Sequence, residues 1–199
     1  MSNIISLLDA INIEAKQLGF DPAANMHPGL TRDQIKEVSR RLPFELPADV
    51  IEIYHWRNGV RLEGQHCEYR LFPRYCLRTI EESVQTTQLL ISLADDPLIR
   101  WRHSWFGLFE DLAGDCLACE TNRSGEFGRI FASESEIIPA FWSVETMLTS
   151  VLECYRAGAY FLDDVLGYLT EDEEISDVIY RRFNRGLSPH YSPPDGSTS

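Results

Sequence analysis

Basic residues are scarce in this chain. Its 199 residues include 18 Lys and Arg against 31 Asp and Glu, which gives a formal net charge of −13. Binding to nucleic acid or to anionic lipid depends on neutralising phosphates with Lys and Arg, so we expect neither partner. A basic protein would instead be attracted and its encounter accelerated. The alternative is that the charge only aids solubility, as in many acidic proteins.

Long apolar runs and a secretory signal are also missing. The longest apolar stretches fall far short of the roughly 20 residues that span a bilayer. The N-terminus has neither the basic region nor the small-residue cleavage site of a signal peptide, so we expect a cytoplasmic protein that does not bind membranes. The composition, 44% hydrophobic and 25% charged residues, is ample for one domain that buries a core without disulfides or metals.

Cysteines are few, and their pattern does not predict a redox or metal site. Five cysteines, an odd number without secretory context, argue against a disulfide framework. Cys116 and Cys119 form one C-x-x-C, but the surrounding sequence predicts a strand, on which residues three apart face opposite sides. No second C-x-x-C completes a zinc site. We interpret both residues as buried apolar side chains.

Recognisable catalytic patterns are absent as well. The five histidines are scattered singly, none in H-E-x-x-H or a similar spacing, and no glycine-rich phosphate loop occurs. A group of acids about one predicted turn could hold a cation, although a solvated turn is the simpler interpretation. We therefore predict a protein that is not an enzyme and has no catalytic residue, cofactor or metal. The acids of this group are Glu110, Asp111, Asp115 and Glu120.

The stretch 46–59 has clear start and stop signals for a helix. Pro47 suits the first turn, because its missing N–H is not needed there, and Asp49 complements the positive end of the helix. Asn58 and Gly59 tolerate the left-handed conformation that ends a helix. The stretch predicts a short core helix that leads into a sheet.

Periodicity and capping patterns place the other elements. Apolar spacing predicts an N-terminal helix over 3–18, and capping boxes begin further helices at Thr31 and Thr79. A helix capped by Ser143 is predicted to end at Gly158. Strands are expected at 68–72, 105–109, 116–121 and 128–132, and tight turns join the last three into an antiparallel meander.

The C-terminal part is acidic and then basic. Residues 170–173 are predicted to form a capping box that begins a helix. Arg181, Arg182 and Arg185 would lie in the last turns of that helix, where they complement its dipole. Residues 188–199 are rich in Pro, Ser and Gly, and we expect a flexible tail. The order of elements predicts an α+β fold, with an antiparallel β-meander packed against several helices.

Four stretches in this order resemble the SUKH superfamily. The predicted helix at 46–59, opened by Leu-Pro and closed by Asn-Gly, looks like the family's signature. The stretch 105–115 is similar to its central strand and turn, and 128–131 resembles its next strand. The stretch 141–148 resembles its closing helix. The resemblance runs from about residue 31 to 158.

The resemblance implies a non-catalytic α+β domain that binds proteins. The superfamily includes bacterial immunity proteins, which bind and block a cognate toxin, frequently a nuclease or a deaminase, and fungal regulators of cell-wall assembly. We therefore expect an immunity protein for a basic toxin, with a regulatory or scaffold module as the alternative. A single domain over 1–187 would comprise a core at 31–158, the N-terminal helix at 3–18 and a C-terminal helical extension at 159–187.

Two acidic groups and one tryptophan are the candidate contacts for a partner. Acids at the meander turn and in the C-terminal part would attract a basic surface, and a tryptophan near polar residues could anchor it. Against each stands a simpler interpretation, either a solvated charged face or a core aromatic. The candidates are Glu110, Asp111 and Asp115 at the turn, Trp101, and Asp163, Asp164, Glu171, Asp172, Glu173 and Glu174 in the C-terminal part.

Overall fold

A computed structural model describes most of the chain and shows an α+β fold. The candidate residue Asp164 and the predicted tail 188–199 lie outside the described residues. The described ranges are 3–61, 70–96, 99–111, 113–121, 129–133, 137–163 and 167–187.

Two helices begin at capping boxes that the sequence predicts. The hydroxyls of Thr31 and Thr79 each accept a hydrogen bond from the backbone N–H three residues on, and the side chains of Gln34 and Glu82 close the two boxes. Both predicted starts are therefore confirmed. The helices of the described ranges are α1 (Ile4–Gln17), α2 (Arg32–Ser39), α3 (Ala48–Trp56), α4 (Ile80–Leu93), α5 (Val144–Arg156) and α6 (Glu173–Phe183).

The strands form three antiparallel sheets in the described part of the chain. The largest has the order β3-β4-β5-β6-β7, so each strand pairs with the next one along the chain. The predicted meander is thereby confirmed and extended by one strand on each side. The other two sheets are the pairs β1-β2 and β8-β9. The strands are β1 (Met26–Pro28), β2 (Arg57–Val60), β3 (Cys76–Leu77), β4 (Trp105–Glu110), β5 (Cys116–Glu120), β6 (Ile130–Ser133), β7 (Ile137–Phe141), β8 (Tyr160–Leu162) and β9 (Leu169–Glu171).

The five-stranded sheet is buried on both faces. In β5, Leu117 and Cys119 point into the main core, which also contains the apolar sides of α1, α3 and α5. Cys116 and Ala118 point into a smaller core on the other face, where residues of the second half of α4 pack. Strands that are covered on both faces have continuous apolar runs in their sequences, as β4 and β5 do.

The cysteines follow this two-sided burial. As predicted, Cys116 and Cys119 diverge to opposite faces of the sheet and are buried, and neither they nor the buried Cys154 form a disulfide. Cys76, at the start of β3, is disulfide-bonded. The sequence argument against a disulfide framework did not anticipate that bond.

The predicted helix over 46–59 is shorter than expected. It begins after Pro47, as predicted, but it ends at Trp56, and the next residues form β2. Gly59 has a positive φ of 77° inside β2, where a Cβ would lie 2.4 Å from the backbone nitrogen of Thr79. The glycine therefore permits a close approach of β2 to the start of α4 and does not end α3.

Two predictions about strands were wrong or incomplete. The described residues 70–72 of the predicted strand 68–72 form no strand, and β3 lies further on, at Cys76–Leu77. The apolar pattern there reflects burial of Leu71 and Phe72, which pack into the main core without pairing. Strand β7 was not predicted, because Pro139 interrupts its pattern. Proline is tolerated there since β7 is an edge strand.

The C-terminal helix begins differently from its prediction. Thr170 belongs to β9, so the predicted capping box at 170–173 does not form. Asp172 is the N-cap instead, and its Oδ1 accepts hydrogen bonds from the backbone N–H groups of Glu174 (3.0 Å) and Ile175 (3.2 Å). The helix ends before Arg185, which therefore does not belong to its last turn.

Candidate protein-binding surfaces

Asp111 organises the turn between β4 and β5. Its Oδ1 accepts hydrogen bonds from the backbone N–H groups of Ala113 (2.8 Å) and Asp115 (2.9 Å). Its own N–H donates to the carbonyl oxygen of Asp115 at 2.9 Å. The Asp111 side chain is only 9% exposed. This carboxylate therefore holds the turn together, as aspartate commonly does at turns.

Arginines engage the three predicted acids of this turn, which we call the meander-turn cluster (Glu110, Asp111 and Asp115). Arg74 binds Asp111 (Nε to Oδ2, 3.0 Å) and Asp115 (Nη2 to Oδ2, 2.9 Å). Arg78 lies 3.7 Å from a carboxylate oxygen of Glu110. Arg74 adopts a positive φ of 74°, which is uncommon for a residue with a side chain. Arginines of the same chain therefore pair with most of the negative charge of the cluster.

Trp101 is a core residue rather than an exposed anchor. Its side chain is 6% exposed and packs edge-on against Trp105, with ring centroids 5.6 Å apart. Trp105 in turn stacks on Phe131 at 4.8 Å in the smaller core. The suggestion that Trp101 anchors a partner is therefore wrong, because its ring is buried among the aromatic side chains of the smaller core.

The β8-β9 hairpin exposes two aromatic side chains on its outer face. Phe161 pairs with Thr170 across the hairpin, and Tyr168 lies two residues before Thr170 on the same face. The two rings are 42% and 41% exposed. Tyr160 and Leu169 point the other way and are buried in the main core. The hairpin thus has one core face and one aromatic outer face.

Helix α6 continues this exposed apolar character and adds acids. Ile175 and Val178 are 38% and 69% exposed and lie three residues apart, on neighbouring positions of the outer face. Glu173 and Glu174 are exposed, and neither has an ion-pair partner among the described residues. We call the hairpin's outer face and the exposed side of α6 the hairpin–α6 surface. Its apolar and acidic members are Phe161, Asp163, Tyr168, Asp172, Glu173, Glu174, Ile175 and Val178. Arg181 and Arg182 are exposed on the last turn of the same helix, and Arg181 binds Asp177.

Buried polar contacts fix this surface to the core. The hydroxyls of Tyr160 and Tyr180 lie 2.5 Å apart and join β8 to α6. The fully buried Asn184 donates to Ser150 Oγ in α5 (3.1 Å) and accepts from the backbone N–H of Trp142 (3.2 Å). Sequence reasoning missed Asn184, since nothing in the pattern after α6 distinguishes a buried amide from an exposed one. The contacts make α6 part of the same packed body as α5.

The remaining C-terminal candidates differ from one another in setting. Asp163 is partly buried beside the hairpin loop, where its backbone N–H donates to the carbonyl oxygen of Tyr168 at 3.0 Å. Glu171 is also partly buried, and it pairs with Tyr160 in the β8-β9 ladder, so it lies on the inner face of the hairpin. Its position makes Glu171 a weaker candidate for contact with a partner than Glu173 or Glu174.

The buried thiols are not activated nucleophiles. Burial raises the pKa of Cys116 to about 12, and nearby carboxylates act in the same direction. Burial likewise raises the pKa of Cys154 to about 12. A reactive thiol needs the opposite shift, toward the thiolate at neutral pH. In the described ranges, no group of three or more His, Cys, Asp or Glu side chains is placed to hold a metal ion.

A groove between α2 and α3 is a further surface feature. It has a volume of about 560 Å³, and Ile35, Leu42 and Ile51 are among its apolar lining residues. Its lining carries three basic and two acidic side chains, and of these Arg32 binds Glu52 and Arg40 binds Glu37. The groove therefore has no excess of acids that would select a basic partner. Within the described residues, no helix has the length and apolar character needed to cross a membrane.

The fold and these surfaces define an α+β domain with a helix-covered antiparallel meander and exposed surfaces suited to contact with another molecule. The family model described as SMI1/KNR4 family (SUKH-1) matches residues 29–150. The chain therefore belongs to this family, and the resemblance seen in the sequence is confirmed. Members are in general not enzymes and bind protein partners. A search of curated proteins finds no match to this chain.

Proposed function

We propose that this protein is an immunity protein, which binds a basic toxin domain and blocks it without chemistry of its own. The observation that carries the proposal is the excess of negative charge, −13 overall, together with exposed carboxylates such as Glu173 and Glu174 that have no ion-pair partner in the described ranges. Membership of a family of protein-binding domains supplies the fold for this role.

The electrostatic argument favours a toxin that acts on nucleic acid, such as a nuclease or a nucleic-acid deaminase. Such an enzyme must be basic around its site, because it binds a polyanion. An acidic inhibitor then meets a complementary potential, which accelerates encounter and favours this partner over neutral or acidic proteins. The attraction is screened within about 8 Å at physiological salt, so the complex should form more slowly as salt is raised.

Affinity capture followed by co-expression tests the proposal. The full-length chain captures partners from its native cell, mass spectrometry identifies them, and each basic partner is then expressed in a bacterial host with and without this chain. We expect one partner to stop growth when expressed alone and to be harmless with the chain present. Capture of a housekeeping protein whose expression is harmless would contradict the immunity role.

A regulatory or scaffold module that binds a cellular protein is the second candidate. The family match supports it equally, because the shared fold does not distinguish a regulator from an inhibitor. This candidate predicts a housekeeping partner and no rescue from any toxin. The same capture and co-expression experiment therefore separates the two functions.

A further inference from the structure

We propose that the hairpin–α6 surface is the docking site, and that its occupant is a folded protein with an apolar patch surrounded by basic residues. The proposal rests on the proposed function in one respect, since a basic toxin is the partner that fits this description. It goes further by placing recognition on the C-terminal hairpin and helix, rather than on the meander turn or in the groove between α2 and α3.

Exposed apolar side chains carry the first part of the argument. Phe161 and Tyr168 on the hairpin and Ile175 and Val178 on α6 are all more than a third exposed. The aromatic pair shares one face of the hairpin, and the aliphatic pair shares one face of the helix. Aromatic residues concentrate binding energy at interface centres. Such side chains offer a rigid contact whose burial stabilises a complex.

Charge determines which occupant fits this surface. Asp172 is the exposed N-cap of α6, and Glu173 and Glu174 are exposed in its first turn, immediately beside the exposed Ile175. Part of their role is internal, because acids at a helix N-terminus complement its dipole. Among described residues, Glu173 and Glu174 have no cation bound to them, so a basic partner would supply the complementary charge. A neutral or acidic partner would offer these carboxylates no positive charge to pair with.

Two other apolar features lack this combination. Leu89 and Leu93 lie on the outside of α4 and are 59% and 40% exposed, and the exposed Asp95 that follows them lies 4.0 Å from His103. The lining of the groove between α2 and α3 carries more basic than acidic side chains, which does not favour a basic partner. Neither feature joins exposed aromatic side chains to carboxylates that lack an ion-pair partner in the described ranges.

The family match adds a second argument, which also rests on the proposed function. Residues 29–150 carry the shared fold, whereas the hairpin and α6 lie beyond them. An inhibitor that blocks only its cognate toxin must discriminate between related partners, and discrimination requires contacts that differ between related inhibitors. The part of the chain outside the shared fold provides such contacts. α1 also lies outside the match, but its apolar side is buried in the main core.

Site-specific photocrosslinking tests the docking site in the full-length chain. A benzophenone amino acid is introduced separately at Phe161, at Val178 and, as a matched control, at Leu89, which is exposed to a similar degree on α4. Each variant is expressed in the native cell and irradiated, and adducts are identified by mass spectrometry. Circular dichroism confirms that all three variants are folded. We expect Phe161 and Val178, but not Leu89, to form an adduct with the same basic protein.

The outcomes separate the docking site from the proposed function. An adduct with a basic toxin from Leu89 alone would overturn the docking site and leave the immunity role intact. An adduct from Phe161 and Val178 with a basic protein that is harmless when expressed alone would support the docking site and overturn the immunity role. An adduct with an acidic protein, or no adduct from Phe161 and Val178, would overturn the docking site.

Discussion

The meander-turn cluster and the hairpin–α6 surface are both acid-rich in the sequence, but their carboxylates have different partners in the fold. At the meander turn, Arg74 and Arg78 lie against the acids, and Asp111 also binds two backbone N–H groups. On α6, Glu173 and Glu174 face outward beside exposed apolar side chains. Acidic residues close in sequence can thus stabilise the fold in one place and remain available to a partner in another.

The largest effect should come from removing the carboxylate that holds the meander turn. Asp111→Ala breaks two backbone hydrogen bonds and the contact with Arg74. Because this carboxylate is largely buried, we expect the free energy of unfolding to fall by about 2–3 kcal/mol, measured by urea denaturation. Asp115→Ala is the control, and it should cost less than about 1 kcal/mol, because that ion pair is more exposed. Equal small effects would show that Asp111 does not organise the turn.

Truncating the aromatic centre of the hairpin–α6 surface should weaken binding without unfolding the chain. For Phe161→Ala, we expect the Kd of the complex with the captured partner to rise about 30-fold, the effect of losing a hot-spot residue of about 2 kcal/mol. Calorimetry measures the Kd, and thermal denaturation checks the fold. Leu89→Ala is the matched control and should leave the Kd unchanged. A similar loss of affinity in both variants would remove the distinction between the two surfaces.

Asp172 should affect stability more than binding, although it belongs to the hairpin–α6 surface. Its side chain caps α6 through two backbone N–H groups. Asp172→Ala should therefore lower the free energy of unfolding by about 1 kcal/mol, whereas Asp172→Asn, which retains the cap, should cost little. Urea denaturation distinguishes them. If both variants are as stable as the original chain, the cap does not hold the start of α6.

The smallest effect should come from Glu110. Its carboxylate is 3.7 Å from Arg78, which also lies 3.8 Å from Glu82. Glu110→Gln therefore leaves that guanidinium a partner, and we expect a loss of less than about 1 kcal/mol in the free energy of unfolding. The association rate with a basic partner should not change. A clear fall in that rate would return Glu110 to the group of contact residues.

Local signals in the sequence determined much of the fold. The capping boxes at Thr31 and Thr79 fixed helix starts, because each box is complete within four residues. The strands of the meander followed from their apolar density. The end of α3 was misplaced because Gly59 serves a contact with the start of α4, some 20 residues further on. A glycine in the sequence indicates that a positive φ is possible at that position, but it does not show which element needs that conformation.

The candidate surfaces were harder to predict, because their chemistry depends on residues distant in the chain. Arg74 meets Asp111 from 37 positions away, so the sequence could not show that the acids of the turn are paired. The burial of Trp101 was equally hidden in the sequence, because its neighbours in the smaller core come from separate strands. In contrast, the exposed acids of α6 were correctly located near a helix start by their sequence, although Asp172 rather than residue 170 is the cap.

Association kinetics of two charge-reversed variants test the central claim most directly. One variant carries Glu173→Lys and Glu174→Lys, the other Glu110→Lys and Asp115→Lys, so both change the net charge equally. At low salt, stopped-flow mixing with the captured basic partner should show the α6 variant binding about tenfold more slowly than the original chain, and the turn variant less than about threefold more slowly. Equal slowing of both variants, or greater slowing of the turn variant, would contradict the claim that the hairpin–α6 surface recognises the partner.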